Sequence, residues 1–146
     1  MTGYLPKHFS IVELVPEELY KTLHPELMWG LFDDKLLKGL DYLKELFPRG
    51  AIIINDWYWG GRYSQSGIRT QNSPYYLSGS MHSVGKAVDL KFTEYEIKDA
   101  YEKLKYDKKI TKYFSRMEHI DHTPTWIHLD QKEPSNGFPQ LYVFKP

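Results

Sequence analysis

The sequence predicts an α+β domain with a small, largely antiparallel sheet and helices packed on one face of it. Helix-period and strand-period segments are interspersed without a regular β–α–β repeat, and two of the strand segments alternate between apolar and polar side chains. A chain of 146 residues is long enough to bury a core, so residues 1–146 are predicted to form a single domain. Aromatic residues make up 16% of the chain, which is too rich for a disordered protein.

Composition argues against several classes of function. The 19 Lys and Arg residues balance the 19 Asp and Glu residues, whereas nucleic-acid binders usually carry a basic excess. The chain has no cysteine, so any metal must be held by nitrogen and oxygen. No apolar run is long enough for a membrane span, and the N-terminus has no apolar stretch of signal-peptide length. We therefore expect no membrane contact and no export signal. Nothing in the sequence predicts the oligomeric state.

The first half of the chain predicts two helices and a buried strand. Pro-Glu-Glu at residues 16–18 is typical of the first turn of a short helix. Residues 33–47 predict a longer helix, because Leu and Phe recur at helical spacing while Lys and Asp fill the other face. Pro-Arg-Gly at residues 48–50 ends it, and the β-branched run at residues 51–54 predicts a strand.

Residues 55–80 have no clear period and combine four glycines with several Tyr and Trp residues. Loops of this length in a compact domain are usually functional or disordered, and the aromatic content argues against disorder. We therefore expect an ordered loop that lines a surface cleft. The alternative for its aromatic side chains is packing in the core. The candidate cleft residues are Trp57, Trp59, Tyr63, Tyr75 and Tyr76.

The second half predicts two alternating strands, a helix between them and a short final strand at residues 141–144. In residues 86–92, Asp89 faces away from the apolar side chains next to it, and in residues 125–130, His128 does the same. Thr93 and Glu96 have the spacing of a capping box, which predicts that a helix begins there. The apolar face of that helix comprises Ile97, Ala100, Tyr101 and Leu104.

The polar faces of the two alternating strands suggest a metal site. If the strands are neighbours, Asp89 and His128 converge, and His82 reaches the same point from a glycine-containing loop. An acid in an apolar run is costly unless a positive partner compensates it. Zinc binds imidazole nitrogen and carboxylate oxygen readily and leaves a fourth position for water. The alternative is that His82 caps a loop, Asp89 pairs with a Lys or Arg, and His128 is a residue of the sheet whose hydrogen bonds are met by its neighbours.

Three sequence patterns carry a family resemblance. SxHxxGxAxD at residues 80–89, followed by WxHxD at residues 126–130, resembles the signature of the zinc D-alanyl-D-alanine carboxypeptidase family. HFSxxEL at residues 8–14 is similar to the N-terminal segment of small, single-domain members, many of them from bacteriophages. The resemblance implies the fold that this family shares with the Hedgehog signalling domain. It also implies a phage-type protein, made in the host cytoplasm or carried in the virion.

The resemblance implies a zinc peptidase that hydrolyses amide bonds in peptidoglycan stem peptides. His82, Asp89 and His128 match the family's metal ligands. Arg69 lies where members place an arginine that grips the substrate carboxylate; the alternative for Arg69 is a salt bridge that staples the loop. The substrate-binding candidates are Arg69, Tyr63 and Ser80.

The general base is where the chain departs from the family. Members place an acid three residues before the last His ligand, and Hedgehog-like relatives place a Glu six residues before it; here these positions are Thr125 and His122. The predicted catalytic residues are therefore His122, Asp130 and Arg69. A histidine pKa of about 6.5 suits proton transfer near neutrality.

Other interpretations remain open at this point. His122 is otherwise an exposed loop residue, and Asp130 otherwise orients a metal ligand. Asp121 and Glu118 are further candidates for the base. Because the usual carboxylate is missing, the alternative function is a non-catalytic phage structural or binding module of the same fold, in which a metal only stabilises folding. An unrelated α+β binding domain without a metal is the third interpretation.

Overall fold

The computed structural model describes residues 3–133 and 140–146. Within these ranges the chain is α+β, which confirms the predicted class. The helices are α1 (Glu17–Thr22), α2 (Pro25–Trp29), α3 (Asp34–Leu46) and α4 (Ile97–Tyr106). The strands are β1 (Ile52–Ile53), β2 (Ala87–Phe92), β3 (Arg116–Glu118), β4 (Ile127–Asp130) and β5 (Tyr142–Phe144). No helix in the described ranges is both long enough and apolar enough to cross a membrane.

The five strands form one sheet in the order β1-β2-β4-β3-β5. All neighbouring pairs are antiparallel except β3 with β5, so the sheet is largely antiparallel as predicted. The register places Asp89 of β2 opposite His128 of β4, and Arg116 of β3 opposite Asp130 of β4. Because side chains of directly paired residues lie on the same face, one face of the sheet gathers these four polar residues.

The other face of the sheet supplies the apolar core. Val88 and Leu90 of β2 and Leu129 of β4 are fully buried together with Leu104 of α4 and four leucines of α3, Leu36, Leu37, Leu40 and Leu43. Fully burying a side chain of this size contributes about 1.5–3 kcal/mol. This asymmetry between the two faces fixes the strand register, because a slip by one residue would turn Asp89 into the core.

Helix α3 matches its predicted span closely. Asp33 caps it by accepting a hydrogen bond from the Lys35 backbone nitrogen (2.9 Å), and the helix ends at its C-cap, Phe47. The buried Asp41 of α3 accepts hydrogen bonds from the Tyr4 hydroxyl (2.6 Å) and from the backbone nitrogens of Lys7 and His8. This carboxylate thus fastens the N-terminal segment to the helix, together with Asp34, whose Oδ1 accepts from the Tyr4 backbone nitrogen at 3.1 Å.

The predicted start of helix α4 is wrong. The helix begins at Ile97, and its N-cap is Glu96 rather than Thr93. The Thr93 hydroxyl instead accepts a hydrogen bond from the backbone nitrogen of Ala51 (2.8 Å), just before β1. Thr93 is thus engaged at the end of the β1–β2 pair. The Ser-x-x-Glu box that does form lies at Ser10 and Glu13.

Candidate metal centre

His82, Asp89 and His128 converge on one point, as the strand alternation and the loop position predict. Each offers one ligand atom, and these atoms lie within 4.8 Å of one another. Asp89 Oδ1 lies 2.9 Å from His128 Nδ1 and 3.3 Å from His82 Nε2. Two imidazole nitrogens and one carboxylate oxygen are a donor set that could hold a metal ion.

Two of the three residues are placed by strand pairing and the third by a tight loop. His82 lies in a single-turn 3-10 helix, Met81–Val84, where the Ser80 hydroxyl accepts a hydrogen bond from the His82 backbone nitrogen (3.3 Å). Gly85 ends this turn with φ of +70°, and a Cβ there would lie 2.0 Å from the carbonyl oxygen of Leu31. Glycine is required at this position both by its backbone angle and by the close approach of a neighbouring chain segment.

Hydrogen bonds on the far side of each ring fix which imidazole nitrogen is free. His82 Nδ1 lies 2.8 Å from the carbonyl oxygen of Gly67, which can only accept, so the proton resides on Nδ1. In the same way, His128 Nε2 lies 2.9 Å from Asp130 Oδ2. Both neutral rings therefore direct a lone pair at Asp89 Oδ1, which is itself an acceptor. Three converging acceptors are stable only when a proton or a metal cation lies between them.

Asp130 orients His128 and is itself held by Arg116. It is 1% exposed and accepts from Arg116 Nε at 2.9 Å and from Nη2 at 2.7 Å. Burial on its own would raise the pKa of Asp130, but the hydrogen bonds from Arg116 and His128 bring it below its usual range. A buried carboxylate that already accepts bonds on both oxygens matches the orienting role weighed for this residue better than the catalytic one.

Without a metal, a proton fills the centre. Burial alone would lower the pKa of His128, but its hydrogen bonds to Asp130 and Asp89 outweigh that effect and raise the pKa to about 9. Burial likewise acts to raise the pKa of Asp89, yet the hydrogen bond from His128 holds it well below its usual range. At neutral pH the metal-free centre is therefore an imidazolium between two carboxylates.

Arg69 touches the centre from the long loop. Its Nη2 lies 3.2 Å from Asp89 Oδ2, and its Nε donates to the carbonyl oxygen of Gln65 at 2.7 Å. Burial lowers the pKa of Arg69, and the nearby Asp89 carboxylate opposes that effect. The salt bridge that was the alternative for Arg69, and that holds the loop against β2, is thus formed. Arg69 also lines both cavities described next, so the bridge does not exclude contact with a ligand.

Two cavities meet at the Arg69–Asp89 pair. The central cavity measures about 450 Å³ and contains the three converging residues, with Glu118 and Trp126 in its wall. The side cavity measures about 430 Å³ and extends toward Tyr63 and Lys91. Both share Arg69, Asp89 and Trp126, so they form adjoining parts of one cleft. Volumes of this size are typical of small-molecule sites.

The other predicted site residues are placed as follows. Ser80 lines the central cavity and caps the His82 turn, and Tyr63 lines the side cavity. His122 is exposed in a turn and is not among the residues that line either cavity. The structure therefore does not bring His122 to the converging residues.

The aromatic residues of the long loop divide between the two interpretations. Tyr75 lines the side cavity, whereas Trp57 packs on the core and donates its indole N–H to the Val15 carbonyl oxygen at 2.8 Å. Trp59 is 63% exposed and lines neither cavity.

Sequence reasoning missed strand β3 and its Arg116, although it named Glu118 as a further candidate for the base. Continuing the β3–β4 register places Glu118 opposite His128, on the face that also carries Arg116. The carboxylate of Glu118 has no cation within 4.0 Å among the described residues. The signal was weak: Arg-Met-Glu alternates polar, apolar, polar over only three residues.

Searches of protein-family models, curated proteins and solved structures find no match for this chain. The geometry of the centre and the sequence patterns therefore carry what is inferred about function.

Proposed function

We propose that this protein is a zinc-dependent peptidase that hydrolyses amide bonds of peptidoglycan stem peptides. The observation that carries the proposal is the convergence of His82, Asp89 and His128 in a cavity that also contains Arg69. The residue patterns that resemble the D-alanyl-D-alanine carboxypeptidase family support it, and we propose the same fold, shared with the Hedgehog domain.

Two of the three separations between the ligand atoms are close to those of a zinc site. Zinc bonds to nitrogen and oxygen are about 2.0–2.2 Å long, so two ligands of a tetrahedral site lie roughly 3.4 Å apart. The Asp89–His82 and Asp89–His128 separations of 3.3 and 2.9 Å are close to that value. When bound, zinc would polarise the carbonyl of the scissile amide and lower the pKa of a water molecule.

Residues of the chain supply the remaining functions. Arg69 presents a guanidinium beside the centre, and an arginine can bind a carboxylate through two parallel hydrogen bonds. Glu118 offers a carboxylate on the same sheet face as His128, in the wall of the central cavity. We propose Glu118 as the group that accepts a proton from the attacking water and transfers it to the leaving amine. Trp126 and Phe144 form apolar parts of the wall and limit the access of water.

Metal content and hydrolysis, measured on the same samples, test the proposal. Protein purified without chelator is expected to contain one zinc per chain and to release free amines from a purified stem pentapeptide. His82→Ala and Asp89→Ala should lose both properties. Glu118→Gln should keep zinc but lower kcat by about 10²–10⁴-fold. Glu102→Gln is the matched control, since Glu102 is exposed on α4 and lines neither cavity.

Two outcomes would contradict the proposal in different ways. Full zinc occupancy without any new amines would favour the non-catalytic module. Zinc binding that survives both ligand substitutions would remove the assigned metal centre itself.

A further inference from the structure

The side cavity carries more positive charge than its own residues neutralise. Arg62, Arg69 and Lys91 line it, and Asp89 is the single acid among the described residues of its wall. Both oxygens of Asp89 are already occupied, Oδ1 by the two imidazoles and Oδ2 by Arg69. Neither Lys91 nor Arg62 has a carboxylate within 4.0 Å in residues 3–133 and 140–146.

Lys91 is the least compensated of these cations. It is half-buried on β2, two residues from Asp89 and on the same face. Its ammonium donates to the hydroxyl of Ser66 at 2.7 Å and lies 4.0 Å from the centre of the Tyr63 ring. A hydroxyl and an aromatic face offset only part of the cost of removing an ammonium from water. An anion in the cavity would supply the rest.

The walls of the side cavity suit an organic anion attached to a peptide. Tyr63, Tyr75 and Trp126 provide aromatic surface, and Trp126 continues into the central cavity. Lys91 is two strand positions beyond Asp89, or roughly 7 Å at about 3.3 Å per residue. An extended peptide residue spans at most about 3.6 Å. A ligand that reaches from Asp89 to Lys91 therefore covers about two residues.

We infer that the side cavity is a subsite for a substrate carboxylate, held by Lys91 with help from Arg62, one or two residues from the cleaved amide. This inference rests on the proposed function for the identity of the substrate, since stem peptides carry carboxylates along their length. It is separate from the role of Arg69, which contacts Asp89 directly.

The experiment amidates each carboxylate of a stem pentapeptide in turn and compares kcat/KM of each product with that of the parent peptide. In the zinc-loaded wild-type protein, one amidation should lower kcat/KM by about tenfold or more, because it removes a charge-assisted hydrogen bond. In Lys91→Met this discrimination should fall below about twofold, and Lys91→Arg should restore most of it. Lys86→Met, at an exposed lysine outside both cavities, should discriminate like the wild type.

Binding to metal-free protein provides a readout that does not need catalysis. Calorimetry in EDTA should show the same preference for the parent over the amidated peptide, and its loss in Lys91→Met. Arg62→Gln changes an exposed side chain and covers the case in which Lys91→Met does not fold; it should reduce the preference about threefold.

The outcomes separate the subsite from the proposed function. Hydrolysis with no discrimination among the amidated peptides, or discrimination unchanged in Lys91→Met, would overturn the subsite and leave the peptidase intact. Absence of hydrolysis, together with a binding preference that depends on Lys91, would retain the subsite and overturn the peptidase. Equal binding of parent and amidated peptides by the metal-free wild type would overturn the subsite in either case.

Discussion

The metal-free protein is predicted to lose stability between pH 6.5 and about pH 8 because of His128. Folding raises the pKa of this imidazole from 6.5 to about 9. A group of this kind stabilises the protein fully below its unfolded pKa, and the contribution declines until the folded pKa is passed. Within that window each pH unit costs about 1.4 kcal/mol. The contribution of His128 to the free energy of unfolding should therefore fall by roughly 2 kcal/mol up to about pH 8, and by roughly 3 kcal/mol by about pH 9.

Lys91 contributes with the opposite sign at higher pH. Burial lowers its pKa from 10.5 to about 8, partly opposed by the Asp89 carboxylate. Between about pH 8 and 10.5 the folded protein has lost a proton that the unfolded chain retains, so this contribution makes stability rise with pH. The two effects nearly cancel between about pH 8 and 9. The stability profile should therefore show a trough there and a recovery above it.

Urea denaturation in the presence of EDTA, repeated across this pH range, measures the profile. His128→Gln should abolish the fall below about pH 8, and Lys91→Met should abolish the recovery above about pH 9. Saturating zinc should remove the fall in the wild type, since the metal then occupies the place of the proton. A wild-type profile that is flat from pH 6.5 to about pH 8, or a His128→Gln profile with the same fall, would refute the proton-bridged centre.

Three further predictions concern residues that hold the site and its scaffold. Gly60→Ala, at φ of +90° with open space around it, should destabilise by about 1 kcal/mol, whereas Gly85→Ala should cost about 1–3 kcal/mol more because of the Leu31 carbonyl; equal urea midpoints would contradict the close contact. Asp130→Asn should weaken zinc binding by about 10–100-fold in a chelator competition, and unchanged affinity would remove its orienting role. Asp41→Ala should lower the free energy of unfolding by about 2–3 kcal/mol, and a change below about 0.5 kcal/mol would show that the N-terminal segment is fastened elsewhere.

The parts of the fold with strong periodicity were predictable, and the short elements were not. Helix α3 presents almost four turns of apolar spacing, so its span was predicted to within one residue at each end. Strand β3 has three residues and is defined by its hydrogen bonds to β4 and β5, which no local pattern encodes. The capping box predicted at Thr93 and Glu96 did not form for a related reason. A hydroxyl that can cap a helix can equally accept from a strand, and tertiary pairing with Ala51 decided between them.

The candidate site was predictable where strand alternation controls it. Asp89 and His128 lie on the same face of adjacent strands. The alternation of apolar and polar side chains around each of them shows in the sequence that both lie on the polar face of their strand. The position of Glu118 near the site depends on β3 being the strand next to β4 on the side away from β2. The order of the strands in the sheet differs from their order in the chain, so this neighbour could not be predicted from the sequence. His122 was an attractive candidate on chemistry alone, but its side chain is exposed in a turn and does not line the central cavity.

The pairing of Asp89 with Arg69 bears on whether a metal is needed at all. A salt bridge to Arg69 compensates one carboxylate oxygen, which is the arrangement expected if Asp89 were only structural. It leaves unexplained why two imidazoles approach the other oxygen with their proton-bearing nitrogens already committed to Gly67 and Asp130. One shared proton can bridge Asp89 Oδ1 to only one of the two imidazole nitrogens that face it. A divalent cation satisfies both nitrogens and the carboxylate oxygen at once, so the second imidazole is the feature that favours a metal over a proton-bridged salt bridge.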